Sequence, residues 1–397
     1  RGRSTSRRRG WCSGAGRRGG RGGSWRSCWR GARGGGGGAP AVLVVAGRSD
    51  RASGALRAGL GEAGVTSAAF HVAGEPSVET ARAATEAARE VGAAGIVAVG
   101  GGSALDTGKA AAALLSNCPP GAPVDPAEFL EVVGRGRPLT RPSAPFIAVP
   151  TTAGVGAEVT RNAVLKCGPQ KVSMRSPFMV PDMAIVDPDL TLSCPADVTA
   201  ACGLDALVQC LEPFISGQAN PASDAFARPG LALGARHLAR AFADGGDAEA
   251  REGMCLCSLY SGLALAHAKL GAVHGFAGVV GGMFESPHGA VCGALLPPCW
   301  EANWVQVREE GGAARDRFEE AARVLGAEGA GDGTPEGALA WMRALVAELG
   351  VPGLGAYGLR EEHVAEVVAK SAASSSMQGN PVVLSDEALA QALRQAM

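Results

Sequence analysis

Short, continuous apolar runs alternate with helix-like stretches through the first half of the chain. Five runs have the length of buried strands: residues 41–46, 68–72, 95–100, 146–149 and 183–186. Three stretches between them predict helices: 52–63, 77–91 and 103–115. Strands that alternate with helices usually form a parallel sheet with helices on both faces. The first half is therefore predicted to be an α/β domain.

The pattern changes after Pro188, where strand-like runs almost vanish. Seven stretches rich in Ala or Leu predict helices: 195–215, 223–243, 248–271, 313–325, 335–349, 360–373 and 385–397. A chain of 397 residues also favours two domains on length alone. We place the boundary near residue 190 and predict an α/β domain with a parallel sheet over 41–190, followed by an all-helical domain over 191–397.

Residues 1–40 differ from both halves, because they are low in complexity and contain eleven Arg and no acidic residue. This basic head lacks the apolar pattern of a core and is expected to be disordered. Three interpretations stay open: an organelle transit segment, a misassigned gene start or fragment, and a basic RNA-binding tail. The expected location is cytoplasmic, or a plastid or mitochondrion if the head is a transit segment.

The charge of the remaining chain restricts the function further. Without the head, 26 basic residues stand against 38 acidic residues, which gives a net charge near −12. An acidic body argues against nucleic acid as a partner. No run approaches the ~20 apolar residues of a membrane span, so no membrane association is expected. The eleven Cys show no regular spacing and are interpreted as reduced thiols.

Two glycine-rich loops follow predicted strands. The strand at 95–100 continues into Gly100-Gly101-Gly102-Ser103 and then into a helix, an arrangement in which a phosphate can approach free backbone N–H groups. The spacing is neither G-x-G-x-x-G nor a P-loop, and a tight turn is the alternative. The strand at 146–149 continues into a loop containing Thr151 and Thr152, which is either a ligand-binding loop or a polar turn.

Four side chains with metal-ligand chemistry occur in the helical half. Asp205 and Gln209 are four residues apart and share one face of a predicted helix. His274 and His288 flank a break formed by Gly281 and Gly282, so both imidazoles can point to one place. Together the four offer two oxygens and two nitrogens, a shell suited to iron or zinc. The alternative is two hydrogen-bonded core histidines, an Asp that caps a loop and a solvent-facing Gln.

These motifs resemble the iron-dependent (group III) alcohol dehydrogenase family, within the dehydroquinate-synthase-like fold. Six segments recur in family order: 100–109, 150–160, 182–188, 203–207, 271–274 and 286–289, followed by a late Gly-Asn-Pro at 379–381. The resemblance implies an N-terminal nucleotide-binding domain, an all-helical C-terminal domain and a metal in the cleft between them.

By position, the resemblance implies metal ligation by Asp205, His274 and His288. It implies cofactor contacts from the glycine-rich turn and from residues beyond it: Gly100, Gly101, Gly102, Ser103, Asp106, Thr151, Thr152 and Lys171.

The chain departs from the family pattern at three places. Gln209 stands where most members have a ligand His, and a neutral amide is a weaker donor, so Fe²⁺ or Zn²⁺ is expected to be loosely held, exchanged or absent. Gly278 stands where many members have another His near the nicotinamide. The family's opening strand and Gly-rich turn have no counterpart in the basic head.

The expected function is NAD(P)-dependent oxidation of an alcohol or reduction of an aldehyde by hydride transfer, with a divalent metal polarising the substrate oxygen. Arg48 and Arg51 after the first strand favour NADPH, while Asp50 leaves NADH open. A metal-independent enzyme like maleylacetate reductase is the nearest alternative. A dehydroquinate-synthase-like lyase and a non-catalytic RNA-associated protein are alternatives of other classes. The expected partner is a small alcohol or aldehyde, and a homodimer is possible.

Overall fold

The computed structural model describes residues 10–13, 40–168 and 170–397. The chain forms two compact units, whose boundary in the sequence is not a single point. The α/β unit comprises the chain through Thr151 together with Ala157–Cys167 and Val172–Asp187. The helical unit comprises Pro188–Met397 and two short insertions from the first half, Thr152–Gly156 and Gly168–Lys171.

A six-stranded parallel sheet forms the α/β unit, in the order β1-β8-β5-β4-β2-β3. Its strands are β1 (Gly10–Ser13), β2 (Ala41–Ala46), β3 (Thr66–His71), β4 (Ile96–Gly100), β5 (Phe146–Pro150) and β8 (Met183–Val186). The helices are α1 (Asp50–Glu62), α2 (Val78–Glu90) and α3 (Gly102–Asn117). Strands β4 and β5 are buried throughout, as their uninterrupted apolar sequences require when helices cover both faces.

Strand β1 lies at the sheet edge and pairs with β8, with Gly10 opposite Met183 and Ser13 opposite Val186. It belongs to the basic head, which was expected to contribute nothing to the fold. No apolar periodicity predicts this strand, because four residues that pair at an edge need only backbone hydrogen bonds. Apart from Pro40, the other residues of the head lie outside the described part of the chain.

A second, two-stranded sheet was not predicted. It consists of β6 (Asn162–Cys167) and β7 (Gln170–Arg175). Each strand alternates buried and partly exposed positions, and the inward residues Leu165 and Met174 join a core cluster of the same unit with Leu114.

Nine helices of eight or more residues form the described helical unit. They are α4 (Ala196–Ile215), α5 (Pro221–Ala243), α6 (Ala248–His267), α7 (Ala272–Met283), α8 (His288–Glu310), α9 (Gly312–Ala327), α10 (Pro335–Glu348), α11 (Val364–Ala372) and α12 (Asp386–Gln395). Their buried faces build one core that includes Phe214, Phe276 and Phe318. The predicted fold class, a parallel α/β domain followed by an all-helical domain, is confirmed.

Helix α4 runs through the middle of this unit and packs against α5, α6 and α8. It is long and apolar enough to cross a membrane by length and composition, but 83% of that stretch is buried inside the structure. A helix that is apolar on all sides is typical of the centre of a large protein. The polar side chains on α4 therefore need partners within the unit.

Candidate metal centre and nucleotide site

Three helices bring the metal-type side chains together. Asp205 lies in the middle of α4, His274 is the third residue of α7, and His288 is the first residue of α8. Gly289 allows this approach, because a Cβ atom at that position would stand 2.0 Å from the Ala201 carbonyl oxygen of α4. The first turn of α8 therefore lies directly against the helix that carries Asp205.

The donor atoms of these side chains face one another. His274 Nε2 lies 3.3 Å from Asp205 Oδ1, and His288 Nε2 lies 3.9 Å from the same oxygen. Asp205 and His274 are almost fully buried, whereas the His288 side chain is 35% exposed. The site is thus closed behind Asp205 and accessible at His288.

Glu212 holds His274 in position, a role that the sequence did not indicate. Its carboxylate oxygen Oε2 lies 2.7 Å from His274 Nδ1, and Oε1 accepts a 2.7 Å hydrogen bond from the Val273 backbone N–H. A carboxylate on Nδ1 fixes the tautomer that leaves the Nε2 lone pair for a cation. Glu212 lies seven residues after Asp205, two helical turns along the same face of α4, and this spacing is the signal that could have found it.

Cys292 is the second residue that the sequence analysis missed. Its Sγ lies 3.9 Å from Asp205 Oδ1 and 4.0 Å from His274 Nε2. One donor atom from each of Asp205, His274, His288 and Cys292 lies within 4.8 Å of all the others. Cys292 follows His288 by four residues on α8, so both side chains project from the same face of that helix.

The charges in this cluster support one another. Burial alone favours the neutral acid, but the imidazoles of His288 and His274 outweigh it and hold the pKa of Asp205 below its usual value. Burial also disfavours the thiolate, yet the same two imidazoles lower the pKa of Cys292. Burial lowers the pKa of His274, but Cys292, Asp205 and Glu212 together raise it well above the ordinary value. The neighbouring imidazoles thus shift the carboxyl and the thiol toward their anionic forms, which are the forms that bind a divalent cation.

Gln209 makes different contacts. Its Nε2 donates to the Val155 carbonyl oxygen at 2.8 Å and to Ser261 Oγ at 2.9 Å. Because a carbonyl can only accept, these contacts fix which end of the amide faces the 152–156 segment. The structure therefore gives Gln209 a packing role within the helical unit, and its predicted ligation of a metal stays a prediction.

The predicted phosphate turn lies at the carboxyl end of β4 in the α/β unit. From β2 the chain passes to β3 on one side and then to β4 on the other, so the ends of β2 and β4 form a topological switch point, where nucleotides bind in such sheets. Gly100 has φ +157°, and a Cβ there would stand 2.7 Å from Ala104 Cβ and 3.1 Å from the Gly47 nitrogen. Only glycine fits this close approach.

Helix α3 starts directly after this turn, with Gly101 as its N-cap, and no side chain among the described residues caps its first amides. The backbone of Gly102 and Ser103 therefore provides N–H groups and positive potential for a diphosphate. The Thr151 N–H donates to the Gly100 carbonyl at 2.9 Å, which brings these two predicted residues together.

Asp106, another predicted cofactor residue, is engaged inside the α/β unit. Its Oδ2 accepts from the Val164 N–H at 3.0 Å, and its Oδ1 lies 3.7 Å from Lys109 Nζ. Burial raises the pKa of Asp106. These contacts attach α3 to strand β6 and so support the phosphate turn from behind.

The remaining two predicted cofactor residues fall in the helical unit, in its two insertions from the first half of the chain. Burial raises the pKa of the Cys202 thiol on α4 to about 12, and the neighbouring Thr152 side chain opposes part of that increase. Lys171 Nζ lies 3.5 Å from the point where a Cβ on Gly281 would be, which places it beside α7.

A carboxylate and two imidazoles are suitable ligands for a divalent ion of the iron or zinc class. The arrangement fits such an ion on three grounds: the donors converge, Glu212 orients one ring, and His288 leaves an open side. The chemistry that this donor set can support is polarisation of a bound oxygen.

Comparison with known proteins agrees with this site. The chain matches the iron-containing alcohol dehydrogenase family over residues 36–188 and the C-terminal part of the Fe-containing alcohol dehydrogenase family over 199–397. Choline dehydrogenase of Bacillus subtilis (strain 168) is 32% identical over 335 residues, which cover 83% of this chain and 80% of that protein.

Two solved structures show the same architecture. The iron-containing alcohol dehydrogenase from Thermococcus thioreducens superposes with a TM-score of 0.81 at 29% identity and covers 97% of both chains. Sulfoacetaldehyde reductase from Bifidobacterium kashiwanohense, in complex with NAD⁺, gives a TM-score of 0.78 at 29% identity over 91% of both chains. The motifs, the metal-type cluster and these matches agree: the chain belongs to the iron-containing alcohol dehydrogenase family and is an oxidoreductase that acts on alcohols.

Proposed function

We propose that this protein interconverts a small alcohol and its aldehyde by hydride transfer to and from a nicotinamide cofactor, with a divalent cation held by Asp205, His274 and His288. The observation that carries the proposal is the convergence of these three donors, with Nε2 atoms 3.3 and 3.9 Å from Asp205 Oδ1. When bound, such a cation would act as a Lewis acid on the substrate oxygen.

The protein's own groups have separable tasks in this proposal. The first amides of α3, at Gly102 and Ser103, bind the cofactor diphosphate. Glu212 keeps His274 Nε2 directed at Asp205. The exposed His288 ring marks the side from which the substrate oxygen enters. The hydride itself comes from the cofactor, so the protein supplies position and electrostatics.

The proposal includes a preference for NADPH over NADH. An acid at the tip of the first strand–helix turn usually binds the ribose 2′-hydroxyl of NADH. Here Asp50 is engaged within its own unit, since its Oδ1 lies 3.2 Å from His71 Nε2 and accepts a 3.1 Å hydrogen bond from Ser53. Arg48 and Arg51 are exposed at the same turn and are suited to a 2′-phosphate.

The test combines metal removal with a cofactor comparison. The purified protein is stripped with a chelator, assayed against a panel of small aldehydes with NADPH and with NADH, and reloaded with Fe²⁺ or Zn²⁺. We expect loss of reduction on stripping, recovery on reloading and faster turnover with NADPH. Asp205→Asn serves as the control that does not recover.

Full activity in the stripped protein, with no gain on reloading, would overturn the metal-assisted reaction and favour the metal-independent type represented by maleylacetate reductase. A strong preference for NADH would overturn the assignment of the cofactor alone.

A further inference from the structure

We propose that the Cys292 thiolate is the fourth donor of the metal centre, and that the resulting set of one oxygen, two nitrogens and one sulfur selects a zinc-type ion over Fe²⁺. The inference rests on the proposed metal-assisted function and adds to it a ligand and the class of metal. It concerns only residues of α4, α7 and α8 within the helical unit.

The distances among the four donors carry the first step. In a tetrahedral zinc site, bond lengths of about 2.0–2.1 Å to N and O and about 2.3 Å to S place neighbouring donors about 3.3–3.6 Å apart. The separations here are 3.3 Å for Asp205–His274, 3.9 Å for Asp205–His288 and 3.9 Å for Asp205–Cys292. The fourth, Cys292–His274, is 4.0 Å. Small side-chain movements are enough to close this shell on an ion.

The position of Cys292 separates it from the other buried thiols of the unit. Cys299 lies on the same helix two turns later and is equally buried, yet the described donors that converge on Asp205 are His274, His288 and Cys292. Cys292 therefore belongs to the cluster by geometry, and Cys299 provides a matched control on one helix.

Gln209 is the competing candidate for the fourth place. Both hydrogens of its amide nitrogen are used, by the Val155 carbonyl and by Ser261 Oγ. Its remaining oxygen is neutral, whereas a thiolate carries a full charge and is a soft, strong ligand. Soft thiolate donors favour Zn²⁺, whereas non-haem Fe²⁺ sites with open positions are built from imidazole and carboxylate. The fourth donor is therefore assigned to Cys292 on α8 rather than to Gln209 on α4.

Cobalt substitution tests the ligand directly and without an activity assay. Metal-free protein is titrated with Co²⁺, whose visible d–d bands report binding and whose near-ultraviolet thiolate-to-metal band reports a sulfur ligand. We expect both kinds of band in the parent protein and in Cys299→Ser. Cys292→Ser and Cys292→Ala should lose the near-ultraviolet band, and Gln209→Ala should keep it.

X-ray absorption of the zinc-loaded protein gives an independent readout, with one sulfur neighbour expected at about 2.3 Å. Because loss of a group behind a ligand already lowers affinity about 10–100-fold, we expect Cys292→Ser to weaken Zn²⁺ binding at least about 100-fold. The preference for Zn²⁺ over Fe²⁺ should fall in parallel.

The outcomes distinguish this inference from the proposed function. Visible bands without the near-ultraviolet band in the parent protein would show a metal bound by Asp205 and the histidines alone, which overturns the role of Cys292 and leaves the proposed function standing. Loss of the sulfur signal in Gln209→Ala but not in Cys292→Ser would overturn it as well. A parent protein that binds no Co²⁺ would overturn both.

Discussion

At the scale of single residues, Glu212 shows how one carboxylate serves two purposes in the helical unit. It accepts a hydrogen bond from the Val273 backbone N–H at the start of α7, where the amides have no partner within the helix. It also orients the ring of His274 in the same turn. The carboxylate is charged where the helix dipole is positive, which adds to the stability of that helix start. Metal binding and the start of α7 therefore depend on the same group.

Replacing Glu212 with Gln should consequently weaken metal binding more than folding. The amide can still accept from Val273, but it no longer provides a charged partner for His274 Nδ1. We expect a loss of about 10–100-fold in Zn²⁺ or Co²⁺ affinity, measured by competition with a chromophoric chelator. Glu301→Gln on α8, which removes a surface ion pair with Arg343 of α10, is the control. Equal affinities of the two variants would contradict this role.

Glu158 in the α/β unit is expected to make stability depend on pH. Burial raises the pKa of its carboxyl from 4.5 to about 7. As the pH rises, the Glu158 carboxyl ionises at a lower pH in the unfolded chain than in the folded protein. The free energy of unfolding therefore decreases between pH 4.5 and about 7.

Glu158→Gln removes this titration. The unfolding free energy of the variant minus that of the parent protein should therefore increase by up to about 3 kcal/mol as the pH rises from 4.5 to about 7. Denaturant unfolding at a series of pH values measures the difference, and Glu86→Gln at an exposed position of α2 is the control. A difference that stays constant with pH would refute the expectation.

At the scale of elements, the close packing of α8 against α4 fixes where His288 points. A methyl group on Gly289 would collide with a backbone carbonyl, which cannot rotate away as a side chain can. The helix start would have to move, and His288 and Cys292 would move with it.

Gly289→Ala should therefore destabilise the protein by about 1–3 kcal/mol and lower metal affinity at the same time. Gly278→Ala on α7 is the matched control for stability, since a Cβ there meets no atom of the described chain within 4 Å. Its expected effect is neutral or a gain of about 0.5–1 kcal/mol. Thermal unfolding with and without Zn²⁺ separates the two effects, and an unchanged Gly289→Ala protein would show that α8 tolerates displacement.

The elements also show what the sequence can predict. Strands such as β4 and β5 were predicted to within one residue, because a buried parallel strand is a continuous apolar run. The helix predicted over 248–271 ends four residues earlier, since α6 ends at His267 and α7 starts at Ala272. The amides at this start are bound by Asn380 and Glu212, which are distant in sequence. No local pattern contains that information.

The site was predictable to a similar degree. Asp205, His274 and His288 were identified from motifs in family order, and the structure brings their donors together. Cys292 was overlooked because a Cys among Ala, Val and Gly has the same pattern as a small core residue. Only the position of α8 against α4 shows that its thiol reaches Asp205.

At the scale of the whole molecule, a cation at this site would connect three helices of the larger unit, since its ligands come from α4, α7 and α8. An ion that binds only the folded state stabilises that state by mass action. We expect Zn²⁺ at 100 times its dissociation constant to raise the free energy of unfolding by about 2.7 kcal/mol. Denaturant unfolding followed by circular dichroism measures the change. Asp205→Asn should show little of it, and an equal gain in that variant would place the stabilising ion elsewhere.

The inserted segment Thr152–Gly156 has a consequence for how the gene can be divided. Its Val155 carbonyl binds Gln209, and Gly156 lies against Gly262 so closely that a Cβ would stand 2.6 Å from that backbone. A fragment cut at Pro188 would lack this peptide, and a chimera that takes its first half from a distant homologue would carry that homologue's version of it. Recombination between relatives should therefore succeed only when those five residues travel with the C-terminal half.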